Sequence, residues 1–195
     1  MAHSGTVTFL SYWRGLQTSP EQAPTRERFD PAALKSLIPQ LIMLSGDDHV
    51  HRFRLAGGFV NAFHGYELKD TAFPALFRSP FIDTVHTALV MSRRREQPLL
   101  LTVSAPWRSF DSLIAEDDLS QSDTVTFEIC LCPLRGRTGQ ADRFVGVYQT
   151  TSAPPKNPRG SVGRYNLVSS RLYEPNRGAA AAHLRLVAAE GKRIA

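Results

Sequence analysis

The stretch VTFEICL, residues 125–131, places large apolar side chains at every second position. These positions are Val125, Phe127, Ile129 and Leu131. Because successive side chains of a β-strand point to opposite faces, this alternation predicts a strand with one apolar face. Residues 99–105 alternate in the same way, and residues 144–150 form a third apolar run after a turn. Residues 99–150 therefore predict a meander of three antiparallel strands.

The residues before this meander predict a hairpin and several helices. Residues 41–44 and 50–56 have the pattern of two strands joined by a turn. Helices are expected at 8–16, from Asp30-Pro31 and from Ser79-Pro80, with short helices and turns over 57–77. This order predicts an α+β fold: an antiparallel five-stranded sheet with helices on one face and a flanking N-terminal helix.

The net charge of +5 is concentrated near the C-terminus. Residues 152–195 contain eight basic and two acidic side chains, a net +6, which leaves −1 for residues 1–151. Residues 152–163 are rich in proline, serine and glycine, as a linker would be. We therefore expect one domain over 1–151, including the N-terminal helix, and a basic linker and tail over 152–195. Such a tail allows peripheral membrane contact or pairing with an acidic protein face. Nucleic-acid binding is not expected, because stacking aromatics are sparse there.

The sequence predicts a cytoplasmic protein. No apolar run reaches the roughly 20 residues that span a bilayer, and the first residues do not resemble a secretory signal. The two cysteines, Cys130 and Cys132, are two positions apart on a predicted strand, too far apart to bridge without distortion. Free thiols of this kind are typical of a reducing compartment.

The motifs of known enzymes and metal sites are absent from the sequence. There is no nucleophile elbow, phosphate loop or dinucleotide fingerprint, so no catalytic residue is assigned. His49-x-His51 and Cys130-x-Cys132 have the spacing of zinc ligands. Strand parity puts His51 on the apolar face and the thiols on the opposite face, so we assign no metal site and expect a half-buried histidine and two thiols at the sheet surface.

A set of short motifs in a fixed order resembles one particular family. The motifs are Tyr12-Trp13-Arg14, Pro24-Thr25-Arg26, Phe29-Asp30-Pro31, Leu37-Ile38-Pro39, 52–57 (RFRLAG), Phe63, 65–68 (GYEL), Pro133-Leu134 and Gly146. Over residues 10–150 the chain resembles the single-domain PAS-like regulatory proteins of alphaproteobacteria. The sequence departs from the family pattern at Gly58, where the family has threonine.

This resemblance implies a bacterial protein of signal transduction. A PAS domain encloses an apolar space between sheet and helices, and its outer sheet face or N-terminal helix binds partners. The expected function is a non-catalytic sensor that acts through protein–protein contacts with a signalling protein, with gating by a small apolar ligand as an option. The alternatives are a haem or small-molecule sensor that uses the pocket, with His86 as the haem ligand, and a small enzyme that uses the same cavity. No cofactor is required.

Two groups of site residues follow from this hypothesis. The ligand pocket is expected to be lined by Phe53, Leu55, Ile82, Val85, His86, Leu89, Val103, Phe127, Ile129 and Val147. A homodimer is expected to form through one face of the N-terminal helix, which carries Phe9, Tyr12, Trp13 and Leu16. The three- and four-residue spacing puts these side chains on one helical face. They could pack on their own sheet, but we favour the dimer, because the helix precedes the domain and has to bury its aromatic side chains.

Overall fold

The computed structural model describes residues 2–46, 49–110, 123–153, 155, 157, 159–173, 188–189 and 192–193. The helices are α1 (Ser4–Gly15), α2 (Gly58–His64) and α3 (Ser79–Arg95), with 3-10 helices at Arg26–Arg28, Pro31–Gln40 and Phe73–Leu76. The strands are β1 (Leu41–Gly46), β2 (His51–Ala56), β3 (Leu99–Ser109), β4 (Thr124–Arg135), β5 (Ala141–Thr150), β6 (Gly160–Val162) and β7 (Asn166–Leu172), and a separate two-stranded ladder joins Ala188–Ala189 to Lys192–Arg193. None of the described helices is long and apolar enough to cross a bilayer.

The main sheet is antiparallel and has the order β2-β1-β5-β4-β3-β6, with β7 also paired to β3. Its inner face carries the alternating residues of β4 that the sequence indicated, and all of them are at most 2% exposed. Val85 and Leu89 of α3 belong to the same apolar cluster. The predicted α+β fold and the inward register of β4 are therefore confirmed, although the sheet has seven strands, and not five, among the described residues.

The outer face of the sheet is also apolar, and α1 covers it. Phe9 and Trp13 are at most 1% exposed and pack on the outer side chains of β4 and β5 within their own chain. The Trp13 indole Nε1 donates to the Pro133 carbonyl at 3.0 Å, and the Tyr12 ring packs edge-on against Phe29 with centroids 5.8 Å apart. The expectation that Phe9 and Trp13 form a dimer seam is therefore wrong, because their own sheet already buries them. That the protein is a homodimer stays a prediction.

Four further side chains lie where the alternation did not place them. The thiols of Cys130 and Cys132 are fully buried under α1 and are not surface thiols. Val147 belongs to the same outer cluster, so it does not line an inner pocket. Leu55 is 50% exposed, because the pairing of β1 with β2 shifts register between Met43 and Leu44 and the strict alternation ends there.

The packed unit extends well past the expected boundary at residue 151. Strand β6 pairs with the end of β3, and β7 pairs with β3 along most of its length. Tyr165, just before β7, is fully buried in the inner core. Residues 160–172 are thus part of the sheet and not a linker. After residue 173, only the short ladder at 188–189 and 192–193 belongs to the described residues.

Replacing Phe127 with alanine should lower the free energy of unfolding by about 3–5 kcal/mol, because the ring is buried and its removal leaves a cavity. Urea unfolding followed by circular dichroism measures this change. Val168→Ala is the matched control, since Val168 is 54% exposed on β7, and it should change the stability by less than about 0.5 kcal/mol. Equal effects of the two substitutions would contradict the inward register of β4.

A chain that ends at Thr151 should be far less stable than one that ends at Tyr173. The shorter chain loses two strands that pair with β3 and a buried tyrosine, a loss of at least about 3–5 kcal/mol by analogy with removal of one buried aromatic. Thermal unfolding of the two truncated proteins beside the full chain makes the comparison. Equal melting temperatures for both truncations would show that residues 152–173 contribute nothing to the packed unit.

Candidate functional site

His64 is the last residue of α2 and points into the core, where only 4% of it is exposed. The helix ends at Gly65, which adopts a left-handed conformation with φ of 76° and donates to Asn61 O at 2.9 Å. A Cβ atom at Gly65 would lie 3.1 Å from the Cβ of Ser161 in β6. The glycine therefore allows both the sharp end of α2 and its close approach to β6, and this fixes the direction of the histidine.

The His64 ring meets the phenol of Tyr165, which comes from the other end of the chain. The Tyr165 hydroxyl oxygen lies 2.5 Å from His64 Nε2, so the two groups share one short hydrogen bond. The Tyr165 backbone is held on both sides: its N–H donates to Leu76 O, and its carbonyl accepts from the Arg78 N–H, each at 2.9 Å. The main chain thus fixes the phenol in place.

Aromatic rings enclose this pair. The Tyr165 ring makes edge-on contacts with Phe127, at a centroid distance of 4.8 Å, and with Phe77, at 5.2 Å. Phe127 stacks in turn on Tyr148, at 5.7 Å. The Tyr148 hydroxyl is fully buried and interacts with the Tyr165 hydroxyl. We call His64, Tyr148 and Tyr165 the His–Tyr cluster.

The polar groups of the His–Tyr cluster are uncharged at neutral pH. Burial lowers the pKa of His64 from 6.5 to about 4. Burial raises the pKa of both Tyr148 and Tyr165 far above that of an exposed phenol. The cluster can accept or donate hydrogen bonds, but it holds no charged acid, base or nucleophile.

Most of the predicted pocket residues lie in the inner core. Phe53, Val85, Leu89, Val103, Phe127 and Ile129 are at most 1% exposed and belong to one apolar cluster. Ile82 and His86 are half-buried. The His86 ring lies edge-on to the ring of the buried His51, with centroids 5.9 Å apart, so this histidine faces β2.

A surface groove of about 380 Å³ adjoins the His–Tyr cluster. It lies at the start of α3, where no side chain caps the helix, and it is lined by Arg78, Ser79, Pro80, Phe81, Arg164 and Asn166. Two of these residues are the chain neighbours of Tyr165. The groove and the buried phenol therefore share one stretch of backbone.

Sequence reasoning missed His64 and Tyr165. The helix-ending Gly65 directly after His64 was an available signal for the position of the histidine. For Tyr165 the signal was weak. The residue precedes Asn-Leu-Val, which has some strand character, but the surrounding stretch is basic and flanked by prolines, as in a linker. Neither residue carries a motif, and only the fold brings them together.

A curled antiparallel sheet with short helices and one long helix over its inner face is the architecture of a PAS domain. The family model PAS_5, described as a PAS domain, matches residues 1–149, so the chain belongs to this family of sensory and signalling domains. The strands β6 and β7, and with them Tyr165, lie beyond the matched residues.

Comparison with solved structures and curated proteins adds little to this assignment. One similar structure is described as "Flavin Analogue Sheds Light on Light-Oxygen-Voltage Domain Mechanism"; it is 13% identical, the match covers 62% of this chain and 83% of that chain, and the TM-score is 0.40. No curated protein matches the chain.

The stability of the protein should fall as the pH is lowered from about 6.5 to about 4. His64 has a lower pKa in the folded chain than in the unfolded chain, so in this window the unfolded state binds more protons. The slope attributable to His64 is at most about 1.4 kcal/mol per pH unit. Urea unfolding across this pH range gives the free energy of unfolding of the parent protein and of His64→Gln. The difference between their pH slopes is the contribution of His64. Identical pH slopes in the two proteins would show that His64 is not buried as a neutral ring.

Proposed function

We propose that this protein is a non-catalytic, cytoplasmic signalling protein, in which the His–Tyr cluster is the sensing element and the groove beside it binds a protein partner. The observation that carries this proposal is the position of Tyr165. Its side chain bonds to His64 in the core, while its neighbours Arg164 and Asn166 line the groove. A change in the core that moves Tyr165 must also move the groove.

The chemistry of the interior favours sensing over catalysis. An enzyme site needs a nucleophile, base or charged stabiliser beside a space for substrate. Burial makes the neutral His64 ring a weak base and the Tyr148 and Tyr165 phenols weak acids, and aromatic rings surround them. Hydrogen bonds between neutral groups in such a site respond to packing, which suits a two-state element.

The groove has the chemistry to recognise an acidic protein segment. Arg78 and Arg164 are exposed at its rim, and the positive end of the α3 dipole adds to their charge. Phe81 gives it an apolar wall. Carboxylates beside one apolar anchor residue would complement this surface, and charge pairing of this kind contributes mainly to the rate of association and to specificity.

Backbone hydrogen bonds link the groove to the core. The Arg78 N–H donates to the Tyr165 carbonyl at 2.9 Å, and Phe77, the preceding residue, packs against the Tyr165 ring. Any displacement of the phenol away from His64 therefore acts directly on the first turn of α3. This short path is the proposed route of signal transmission.

A second candidate function is small-molecule sensing at the same cluster. The buried Tyr148 hydroxyl interacts with Tyr165, so a small planar ligand with one polar group would have a partner there if Tyr165 moved out. Native mass spectrometry of freshly purified protein reports such a ligand, or haem, by its added mass.

The partner should be lost when the groove charges are reversed. The parent protein and an Arg78→Glu, Arg164→Glu double variant are each tagged and purified from the native host. Quantitative mass spectrometry then compares the proteins that copurify with each. The expected result is at least a tenfold loss of one acidic partner. Arg137→Glu, an exposed site in the turn between β4 and β5, is the control and should keep that partner.

The coupling to the core is tested by Tyr165→Phe, which removes only the hydroxyl. Binding of the same partner should change several-fold although no groove side chain is altered, and amide exchange at Arg78 should become faster. Unchanged binding and exchange would contradict a sensing role for the His–Tyr cluster, and partner loss in the Arg137→Glu control would contradict the groove.

A further inference from the structure

The two cysteines form a closely spaced dithiol on the outer face of the sheet. Cys130 and Cys132 occupy alternate positions of β4, so their side chains point the same way. Both are free and fully buried, and their Sγ atoms lie 4.0 Å apart. They pack beneath α1 in the cluster that contains Trp13. This arrangement is remote from the His–Tyr cluster, which lies on the inner face.

A positive charge next to this dithiol lacks full compensation. Arg14 follows Trp13 on α1, and its Nε and Nη2 atoms are buried with no hydrogen-bond partner among the described residues. The guanidinium lies 4.5 Å over the ring of Tyr173. Arg14 is also close enough to Cys132 to interact with it electrostatically. Burying N–H groups of a cation unpaired is costly, and a negative group at the dithiol would relieve that cost.

We propose that Cys130 and Cys132 form a binding site for a soft monovalent cation of the Cu(I) class, held as a bis-thiolate beneath α1. On binding, two S–H bonds break, two protons leave to solvent and two metal–sulfur bonds form, with no change of oxidation state. The resulting complex carries one negative charge, which the neighbouring Arg14 balances. The inference does not depend on the proposed signalling function.

The spacing of the sulfur atoms suits chelation of one ion. With metal–sulfur bonds of about 2.3 Å, the value for a zinc–thiolate bond, sulfurs 4.0 Å apart subtend an angle of about 120° at a shared ion, and a linear arrangement would need the two sulfurs to separate by about a further 0.6 Å. A disulfide, by contrast, would require the two sulfurs to approach to about 2.05 Å, which the strand geometry opposes. The dithiol can therefore bind an ion with little movement of β4.

The donor set selects the class of cation. Structural zinc takes four protein ligands, and within the described residues no group of three or more His, Cys, Asp or Glu side chains is placed to bind a metal. Two thiolates in an apolar setting suit a soft ion that accepts low coordination, and thiolates favour Cu(I). The single charge of Cu(I) also gives the complex the sign that Arg14 requires.

The site lies under α1, so the helix has to move before an ion reaches it. At its N-terminus the helix is held by the His3 N–H, which donates to Glu128 Oε1 at 3.1 Å, and near its C-terminus by the Trp13 indole on Pro133. Trp13 is thus a built-in reporter, and Trp107 is the only other tryptophan in the chain. A Trp107→Phe background leaves Trp13 fluorescence alone.

The test is an anaerobic titration with Cu(I) in competition with a coloured Cu(I) chelator. We expect one ion per chain, a thiolate-to-metal absorption band in the near ultraviolet and a change in Trp13 fluorescence in the Trp107→Phe background. Cys130→Ser and Cys132→Ser should each weaken binding at least 100-fold, and Arg14→Gln should weaken it about tenfold. Should the serine variants fail to fold by circular dichroism, alanine at the same positions keeps the cluster apolar.

Several results would overturn the proposal. One is that the chelator removes all copper from the parent protein. Another is that a variant with both cysteines replaced retains the ion, which would place the copper on other side chains. Equal affinity for Zn(II) would show that the class of cation is wrong. Unchanged affinity in Arg14→Gln would remove the charge argument on which the choice of a monovalent ion rests.

Discussion

The structure depends on one constraint: the central sheet is apolar on both faces and must be covered on both. The inner face carries large residues such as Phe127 and Ile129, and the outer face carries smaller ones such as Cys130 and Val147. An uncovered apolar face of this size favours association or aggregation. The helices α2 and α3 pack over the inner face, and α1 covers the outer one. The position of α1, the burial of the thiols and the loss of the expected dimer seam all follow from this constraint.

Closing the inner core requires a further element beyond the residues that match the family. Strand β7 lies along β3, and Tyr165 fills the space among Phe77, Phe127 and His64. A side chain of the protein thus lies among core residues of the kind expected to line a pocket. The single hydrogen bond to His64 holds a neutral phenol against a neutral imidazole. A contact of this kind contributes about 0.5–1.5 kcal/mol, which is small enough for a modest perturbation to break it.

The parts of the fold that the sequence predicts are those with a strong period. The β4 alternation and the Ser79-Pro80 helix start lead directly to the sheet and α3, because apolar periodicity reports which side is buried. Apolar periodicity fails where the second face of the sheet is also buried. Cys130 was expected at the sheet surface and Val147 in the inner pocket, whereas both belong to the buried outer cluster. It fails at Leu55, where a register shift reverses the parity.

The sequence does not predict the His–Tyr cluster, for a different reason. His64 and Tyr165 are about 100 positions apart in the chain, and neither lies in a motif. Only the pairing of β7 with β3 brings them together, and β7 follows a proline-rich stretch whose composition is typical of a linker. Non-local strand pairing of this kind leaves little trace in a single sequence.

Strand β7 physically joins the two proposed sites. Tyr165 precedes it and points into the inner core, whereas Tyr173 follows it and packs with the outer cluster against Arg14. The strand is bonded to β3 with one register irregularity between Thr102 and Val103. A movement of β7 that withdraws Tyr165 from His64 would therefore also displace Tyr173 from the guanidinium beside the dithiol. Because thermodynamic coupling is reciprocal, an ion bound at the dithiol and a partner bound at the groove would each affect the affinity for the other, to the extent that both depend on the position of β7.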